Sequence, residues 1–244
     1  MEIVIIRHAE PDYENNTLTK KGFYEAELLG RYLKDKRIDY LYSSPLNRAK
    51  YTADAIVKYN KTNKYEVLNY LEEFHTLVQL PYSKKHLVWD LRPSFLNDDL
   101  NLYGKDTWQQ NKWINSLEVA KRYQDLKDNF NALLKEHGYS KNGVYYDAIS
   151  PNHKTLVFVC HFGMESFLLS ELLNISPIAL SNHTCAQPSA ITTVVTEERE
   201  KGKAIFRMLT FGGIEHLIIN NEKPSFMARF DEVFGDKTGD EDFD

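Results

Sequence analysis

The amino-terminal stretch MEIVIIRHAEP, residues 1–11, joins a short apolar run to a cluster of polar side chains. Residues 3–6 are all branched aliphatics, and such a short uninterrupted run predicts a strand that is buried on both faces. Arg7 and His8 follow directly at the carboxyl end of this strand, where small turn residues are more usual. A cation and an imidazole in that position indicate a functional site rather than a simple turn.

The segments that follow alternate between helix and strand patterns. Residues 18–36 carry apolar side chains at helical spacing after the first strand. Residues 40–44 (YLYSS) predict a second strand. Ser44 and Pro45 then predict an N-cap and the first residue of a helix that carries Arg48. Each of the first two strands is therefore followed by a helix.

A third unit of the same kind lies in TLVFVCHFGMESFLLSELLN, residues 155–174. Its first six residues predict the strand, and Gly163 predicts the turn before the helix. Residues 189–198 and 203–211 predict two further strands joined as a hairpin. Repeated strand-helix units predict an α/β fold, a three-layer α/β/α sandwich with a mostly parallel central sheet.

Residues 79–137 differ in character from the rest of the chain. They contain all three tryptophans and a long helical pattern over residues 107–136. Because this stretch lacks an apolar core of its own, we interpret it as a helical insertion over the active edge of the sheet. The chain is then a single domain over residues 1–234, followed by an acidic tail at residues 235–244.

The charge and composition of the chain exclude several classes of partner. With 30 Lys and Arg against 35 Asp and Glu, the formal net charge is −5, which provides no general attraction for nucleic acid or anionic lipid. The short apolar run near the amino terminus fits neither a secretion signal nor a membrane span. Two cysteines are too few for a disulfide framework, so we expect a cytoplasmic protein.

Three polar motifs stand at the carboxyl ends of predicted strands, namely Arg7 with His8, residues 43–48, and the motif around His161. Ligands bind at this edge of α/β sheets, because loops converge there and helix amino termini present unpaired N–H groups. The guanidinium groups of Arg7 and Arg48 would hold phosphoryl oxygens, and His8 would be a nucleophile that forms phosphohistidine. His161 completes an anion pocket suited to phosphoryl transfer.

The alkoxide that leaves in such a reaction needs a proton donor. Glu72 and Glu73, in YLEEF, end an apolar run where partial burial would keep a carboxyl group protonated. Since side chains alternate along an extended chain, only one of the two would point inward. The residues alone leave both glutamates open for this role.

The order of these motifs resembles the histidine phosphatase superfamily, also called the phosphoglycerate mutase-like family. The resemblance is carried by RHAEPDY, SSPLNRAKYTA, LEE and VFVCHFG, which are distributed over most of the chain. It implies a phosphoglycerate mutase-like fold with His8 as the nucleophile. It also implies that Arg7, Arg48 and His161 bind phosphoryl oxygens, with His161 taking part in catalysis.

The details of the resemblance concern the acid and the glycines. The family's Leu-x-Glu pattern selects Glu73 rather than Glu72 as the general acid. Ala9 and Phe162 stand where the family usually has glycine, although Gly163 follows Phe162 directly. The Gly-x-Trp-Glu-Gly sequence that usually follows the acid is absent.

The stretch after the first histidine favours the phosphatase branch of the family. Residues 11–22 (PDYENNTLTKKG) lack the Trp-Asn dipeptide and the Asn-x-Phe-x-Gly-Trp sequence of the mutases. The resemblance thus implies a metal-independent phosphatase without a cofactor, acting on a small phosphorylated metabolite. A phosphoglycerate mutase and a noncatalytic scaffold that binds a phospho-ligand are the alternatives. Arg92, between Trp89 and Phe95, is a candidate for binding a second charge on the substrate.

Other chemistries fit the residues less well. A cysteine phosphatase that used Cys160 would need an arginine six positions later, where this chain has serine. His161 with Glu165, and His183 with Cys185, do not form a known set of metal ligands. We therefore predict no metal site, and the sequence does not indicate an oligomeric state.

Overall fold

The computed structural model of the chain describes residues 1–62 and 64–225, so the acidic tail predicted at residues 235–244 lies outside the described residues. The strands of the described part are β1 (Glu2–Arg7), β2 (Pro11–Asp12), β3 (Thr17–Leu18), β4 (Tyr40–Ser43), β5 (Glu66–Val67), β6 (Leu77–Leu80), β7 (Ser83–Leu87), β8 (Tyr139–Asn142), β9 (Tyr145–Ala148), β10 (Thr155–Cys160), β11 (Ile191–Glu200) and β12 (Lys203–Gly213). Its α-helices are α1 (Lys20–Tyr32), α2 (Asn47–Tyr59), α3 (Pro93–Asp98), α4 (Leu117–Glu136), α5 (Phe162–Leu173), α6 (Pro177–His183) and α7 (Glu215–Ile218). Short 3₁₀ helices cover Asn69–Leu71, Leu100–Tyr103 and Trp108–Gln110. Over the described ranges, no helix combines the length and the apolar character that crossing a membrane requires.

Eight strands form one sheet in the order β5-β4-β10-β1-β11-β12-β9-β8. The neighbours β5, β4, β10 and β1 are all parallel. Beyond β1 the pairing becomes antiparallel, through β11, β12, β9 and β8. The pairs β2-β3 and β6-β7 form two small separate sheets. The predicted α/β class is confirmed, and so is the hairpin of β11 and β12.

The alternating side chains of β1 point into two apolar layers. Val4 and Ile6 belong to a cluster built with apolar residues of α1 and α2. Ile3 and Ile5 belong to the cluster on the opposite face, to which α4 and α5 contribute. Helices therefore cover both faces of the sheet, as a three-layer sandwich requires.

The stretch interpreted as an insertion shares the core of the sheet. Its buried Trp108 and Phe130 belong to the same cluster as Ile5. Its long helix is shorter than the sequence pattern predicted, because α4 begins only after Ser116, whose hydroxyl oxygen accepts the Val119 N–H at 3.2 Å. A capping serine thus ends the irregular chain and begins the helix. The domain boundaries inferred from the sequence stay a prediction.

The start of α2 also differs from the sequence-based expectation. The helix begins at Asn47, with Leu46 at the cap position and no side-chain bond to the first turn. The expected cap, Ser44, instead bonds through its hydroxyl group to His161 at 2.7 Å. The Ser44 hydroxyl oxygen also accepts the Leu46 N–H at 3.3 Å, but Leu46 precedes the helix, so the prediction that Ser44 caps α2 is wrong.

The contact between α1 and α2 predicts a cost for any side chain at Gly30. A Cβ atom there would lie 2.3 Å from the carbonyl oxygen of Ala55. Because this obstacle is backbone, Gly30→Ala must separate the two helices, and we expect the free energy of unfolding to fall by about 1–3 kcal/mol. Urea unfolding followed by circular dichroism measures the change, with Lys20→Ala at an exposed position of α1 as the control. Equal unfolding free energies for both variants would contradict the prediction.

Candidate active site

The carboxyl ends of β1, β4 and β10 lie side by side in the sheet. Arg7 at the end of β1 is in register with Cys160 at the end of β10. Val159 of β10 is in register with Ser43 of β4. The ladder continues one residue further, where the His8 N–H donates to the Cys160 carbonyl at 2.9 Å. The motifs that the sequence placed after separate strands therefore meet at one edge.

The imidazole of His8 is buried and has a partner on each ring nitrogen. Nδ1 lies 2.7 Å from the carbonyl oxygen of Ala9, so Nδ1 carries the proton and donates it. Nε2 then has a lone pair, to which the Arg48 Nε–H donates at 3.2 Å. The hydroxyl group of Thr52 accepts the Ala9 N–H at 3.1 Å and donates to the Arg48 carbonyl at 2.8 Å, so it ties this loop to α2. Thr52 was not among the predicted site residues, although it lies in the motif that carries Arg48.

His161 lies against His8, with ring centroids 4.9 Å apart. Its Nε2 is 2.7 Å from the hydroxyl oxygen of Ser44, while its Nδ1 is buried and has no hydrogen-bond partner among the described residues. Sequence reasoning missed the role of Ser44 as a partner of this imidazole. The available signal was its position at the end of the second strand, next to Ser43.

Burial keeps both imidazoles neutral. Burial, followed by the charges of Arg7 and Arg48, lowers the pKa of His8 well below its ordinary value. Burial also lowers the pKa of His161 well below its ordinary value, and His8 and the two arginines add to this effect. A histidine nucleophile must be neutral, so this environment suits His8 to attack at ordinary pH.

Two guanidinium groups flank the imidazoles. Arg7 donates from Nη1 to the Ala186 carbonyl at 2.7 Å, while its buried Nε has no partner among the described residues. The guanidinium carbon of Arg7 lies 5.8 Å from the centroid of the Phe162 ring. That of Arg48 lies 5.3 Å from the centroid of the Tyr13 ring. Groups held in this way keep N–H donors for an oxyanion.

Glu73 reaches the amino terminus of α5. Its carboxylate accepts the N–H groups of Phe74 at 2.7 Å, Met164 at 2.8 Å and Gly163 at 3.3 Å. Burial raises the pKa of Glu73, while these three hydrogen bonds and the charge of Arg7 oppose the increase. A carboxyl group with opposing influences of this kind can both give and take a proton.

Gly163 provides the space in which Glu73 and the insertion meet. A Cβ atom at this position would lie 2.5 Å from Nε1 of Trp89 and 2.7 Å from Oε1 of Glu73. Trp89 donates from Nε1 to the Phe74 carbonyl at 2.6 Å and packs edge-to-face on Phe162, with centroids 5.9 Å apart. Glycine is therefore required at position 163, because the Trp89 ring and the Glu73 carboxylate occupy the volume that a side chain would need. The insertion supplies one wall beside Glu73.

Two other predicted candidates have different surroundings. Within the described part of the chain, the Glu72 carboxylate makes no hydrogen bond, and its backbone carbonyl accepts from Arg122 at 2.9 Å. Arg92 is exposed, and its guanidinium carbon lies 4.6 Å from the centroid of the Tyr82 ring in the insertion. A substrate-binding role for Arg92 therefore stays a prediction.

The cluster as a whole offers a neutral imidazole, two cations with N–H donors, and a carboxyl group with a raised pKa. Across residues 1–62 and 64–225, no group of three or more His, Cys, Asp or Glu side chains is arranged to hold a metal ion. Planar guanidinium donors and a buried imidazole fit the oxygens of a tetrahedral oxyanion such as phosphate.

The geometry predicts that Arg48 is required for oxyanion binding. We expect Arg48→Gln to weaken the binding of inorganic phosphate at least about tenfold, since a hydrogen bond to a charged group contributes about 1.5–3 kcal/mol. Isothermal titration calorimetry at low salt measures the affinity. Arg31→Gln, on an exposed part of α1, is the matched control and should bind like the wild type. Equal affinities for R48Q and R31Q would contradict the assignment.

Sequence comparisons match a family model and two curated relatives over part of this chain. Residues 3–80 match the model of the histidine phosphatase superfamily (branch 1). The chain is 35% identical to fructose-2,6-bisphosphatase TIGAR of Xenopus tropicalis over 72 residues, covering 25% of this chain and 26% of that protein. The corresponding protein of Xenopus laevis is 33% identical, with the same coverage. The aligned part thus spans about a quarter of the length of the curated relatives.

The fold is similar to solved structures over most of the chain. Phosphoserine phosphatase from Entamoeba histolytica aligns with a TM-score of 0.56 and 19% identity, covering 88% of this chain and 98% of that chain. A mycobacterial glucosyl-3-phosphoglycerate phosphatase aligns with a TM-score of 0.53 and 15% identity, covering 87% and 98%. The alpha-ribazole phosphatase of Shigella flexneri aligns with a TM-score of 0.53 and 16% identity, again covering 87% and 98%. The chain thus shares the phosphoglycerate mutase-like fold of these phosphatases, and its residues 3–80 are similar to the histidine phosphatase superfamily.

Proposed function

We propose that the chain is a metal-independent phosphatase that hydrolyses a small-molecule phosphomonoester through a phosphohistidine on His8. The observation that carries this proposal is the state of the His8 ring. Its bond to the Ala9 carbonyl holds the proton on Nδ1, so the lone pair of Nε2 is directed toward the side of Arg48. Binding alone does not require a nitrogen lone pair inside a ring of phosphate donors.

The first step forms the phosphoenzyme. Arg7, Arg48 and His161 bind the phosphoryl oxygens, and the phosphate displaces the contact between Arg48 and His8. Nε2 of His8 then attacks phosphorus while the ester P–O bond breaks. The departing ester oxygen takes the proton of Glu73, and the organic part of the substrate leaves as an alcohol.

The second step returns the free enzyme. The Glu73 carboxylate takes a proton from water, and the oxygen of that water attacks phosphorus as the P–N bond to His8 breaks. Inorganic phosphate is released, and Glu73 is protonated again. Its environment supports both roles, because burial favours the acid while the N–H groups of α5 favour the carboxylate.

The leaving group would lie on the side of Glu73, where the Trp89 and Phe162 rings form a wall. The similar proteins are described as phosphatases for fructose 2,6-bisphosphate, phosphoserine, glucosyl-3-phosphoglycerate and alpha-ribazole compounds, so they support phosphate release without selecting a substrate. A small phosphorylated metabolite is therefore the proposed substrate class. The proposed location is the cytoplasm, because two cysteines are too few for a disulfide framework.

Replacement of His8 tests the nucleophile. We expect the wild type to release phosphate from p-nitrophenyl phosphate in the presence of EDTA, and His8→Ala to reduce kcat/KM by at least about 10³-fold. His153→Ala, at an exposed position, is the control and should keep wild-type activity. Phosphate that is bound covalently to the enzyme after rapid quenching, and that is released by acid but not by base, would identify phosphohistidine. Undiminished hydrolysis by H8A would exclude the mechanism.

The same preparation separates the two alternatives. Isomerisation of 3-phosphoglycerate in the presence of a bisphosphorylated primer, without net phosphate release, would identify a phosphoglycerate mutase. Phosphate binding without turnover of any member of a phosphometabolite panel would identify a noncatalytic scaffold.

The choice between Glu73 and Glu72 is tested by leaving-group dependence. Glu73→Gln removes the proton donor, so we expect kcat for an alkyl phosphate to fall about 10²–10⁴-fold, and kcat for p-nitrophenyl phosphate to fall much less. Glu72→Gln is the matched control and should affect both substrates alike and weakly. Steady-state kinetics of the three proteins gives the comparison. A larger alkyl-specific defect in E72Q would reverse the assignment.

A further inference from the structure

The mechanism leaves one buried carboxyl group unused. Glu165 lies in the first turn of α5, four residues after His161, and its residue surface is 1% exposed. Among the described residues, neither of its carboxyl oxygens makes a well-formed hydrogen bond, although the Thr192 hydroxyl group faces this side chain. Burial of a carboxyl group with so little hydrogen bonding is costly, so its presence in the helix that forms the phosphate pocket requires an explanation.

The sheet register shows what lies on the same face as Glu165. Arg7 of β1 is in register with Cys160 of β10, and Ile5 of β1 is in register with Thr192 of β11. Since Ile5 and Arg7 are two residues apart, their side chains share one face, which is the face that α5 covers. Thr192 and Arg7 both interact with the Glu165 carboxyl group, so Glu165 packs over the end of β1 that carries Arg7.

We propose that Glu165 is a counter-charge to Arg7, and that its ionisation state determines how strongly the pocket binds a phosphoryl dianion. This inference rests on the proposed function, because it treats the same pocket as a phosphate site. In this role Glu165 is a positioning residue that acts through Arg7 rather than on the substrate.

The charges around Glu165 give the direction of the effect. Burial raises the pKa of Glu165 to about 7, while the Thr192 hydroxyl group and Arg7 lower it and Glu73 raises it. Below this pH the carboxyl group is neutral, and the full charge of Arg7 attracts a dianion. Above it, the carboxylate offsets Arg7 and repels the dianion. Binding should therefore weaken as the pH rises through about 7.

Other groups that face this region come from the neighbouring elements. The two cysteines, Cys160 of β10 and Cys185 of the loop after α6, have thiol pKa values raised by burial, and both respond to Glu165. His8 and His161 have pKa values well below the ordinary value because of burial. Glu73 is a second carboxyl group with a raised pKa, so the test must remove it.

Sulfate is the appropriate probe, because it stays divalent across the neutral range, whereas phosphate groups change charge near pH 6 to 7, at a second pKa of about 6. Calorimetry gives the sulfate Kd at about pH 6 and about pH 8.5 for two proteins, Glu73→Gln and Glu73→Gln with Glu165→Gln. Between these two pH values, we expect the sulfate Kd of the single variant E73Q to rise on the order of tenfold more than that of the double variant. The two proteins differ only at position 165, so the difference between them reports Glu165.

Glu25 offers a matched control. It is buried, and burial raises its pKa to about 7, but it lies on α1, where its carboxylate accepts the Glu10 N–H at 2.9 Å. Glu25→Gln in the same E73Q background should leave the pH dependence of sulfate binding unchanged.

The reciprocal effect supplies a second measurement, since a dianion that prefers the neutral carboxyl group must drive proton uptake when it binds. Calorimetry near pH 7 in two buffers of different ionisation enthalpy should show more uptake in E73Q than in the double variant.

Equal pH dependence in the single and double variants would overturn the proposal, and so would equal proton uptake. Glu165→Leu in the E73Q background is a second uncharged variant, which decides the matter if the glutamine variant does not fold. Hydrolysis of p-nitrophenyl phosphate by the wild type is scored separately. If sulfate binding depends on Glu165 but the wild type hydrolyses nothing, the counter-charge proposal is supported and the proposed phosphatase activity is rejected. If the wild type hydrolyses the ester but Glu165 has no effect on sulfate binding, the phosphatase activity is supported and the counter-charge proposal is rejected.

Discussion

A neutral imidazole held between two guanidinium groups is the arrangement on which the rest of this site depends. His8 is buried beside Arg7 and Arg48, so protonation would bring a third positive charge into a space with little water. The bond from its Nδ1 to the Ala9 carbonyl decides which nitrogen keeps the lone pair. The neighbouring contacts, above all that of Thr52, maintain this geometry. The pocket is thus prepared for an anion before any anion binds.

The helix α5 connects this pocket to the insertion. Its first N–H groups, which often bind anions directly, here bind the carboxylate of Glu73. The same contact brings Trp89 against Gly163, so a residue far from the strand ends becomes a wall beside the proposed acid. Phe162, at the position where glycine was expected, faces Arg7 and Trp89. In the proposed mechanism, variation in residues 79–137 would therefore alter the surroundings of the leaving group without changing the proposed phosphate-binding residues.

The charge balance of the pocket follows from two arginines and two carboxyl groups. Burial raises the pKa of both Glu73 and Glu165, so both are more often neutral than an exposed glutamate would be. One carboxyl group faces the leaving group in the proposed mechanism, and the other packs over Arg7. A pocket of this composition becomes less positive as the pH rises. In the proposed mechanism, the affinity for a dianion and the supply of a proton would then decline together, although they depend on different residues.

The sequence by itself determined the strand-helix units, the positions of Arg7, His8 and His161 at the ends of strands, and that of Arg48 in the helix after the second long strand. This was possible because short apolar runs are local signals, and because the carboxyl ends of parallel strands must meet at one edge. Only the tertiary structure decided that Ser44 bonds His161 instead of capping α2, that α4 begins after Ser116, and that Glu165 is buried near Arg7. The Ser44 and Glu165 surroundings depend on residues that are distant in the chain, and Glu73 and Gly163 are 90 positions apart. A side chain's nearest polar neighbour is set by packing, which local sequence patterns do not contain.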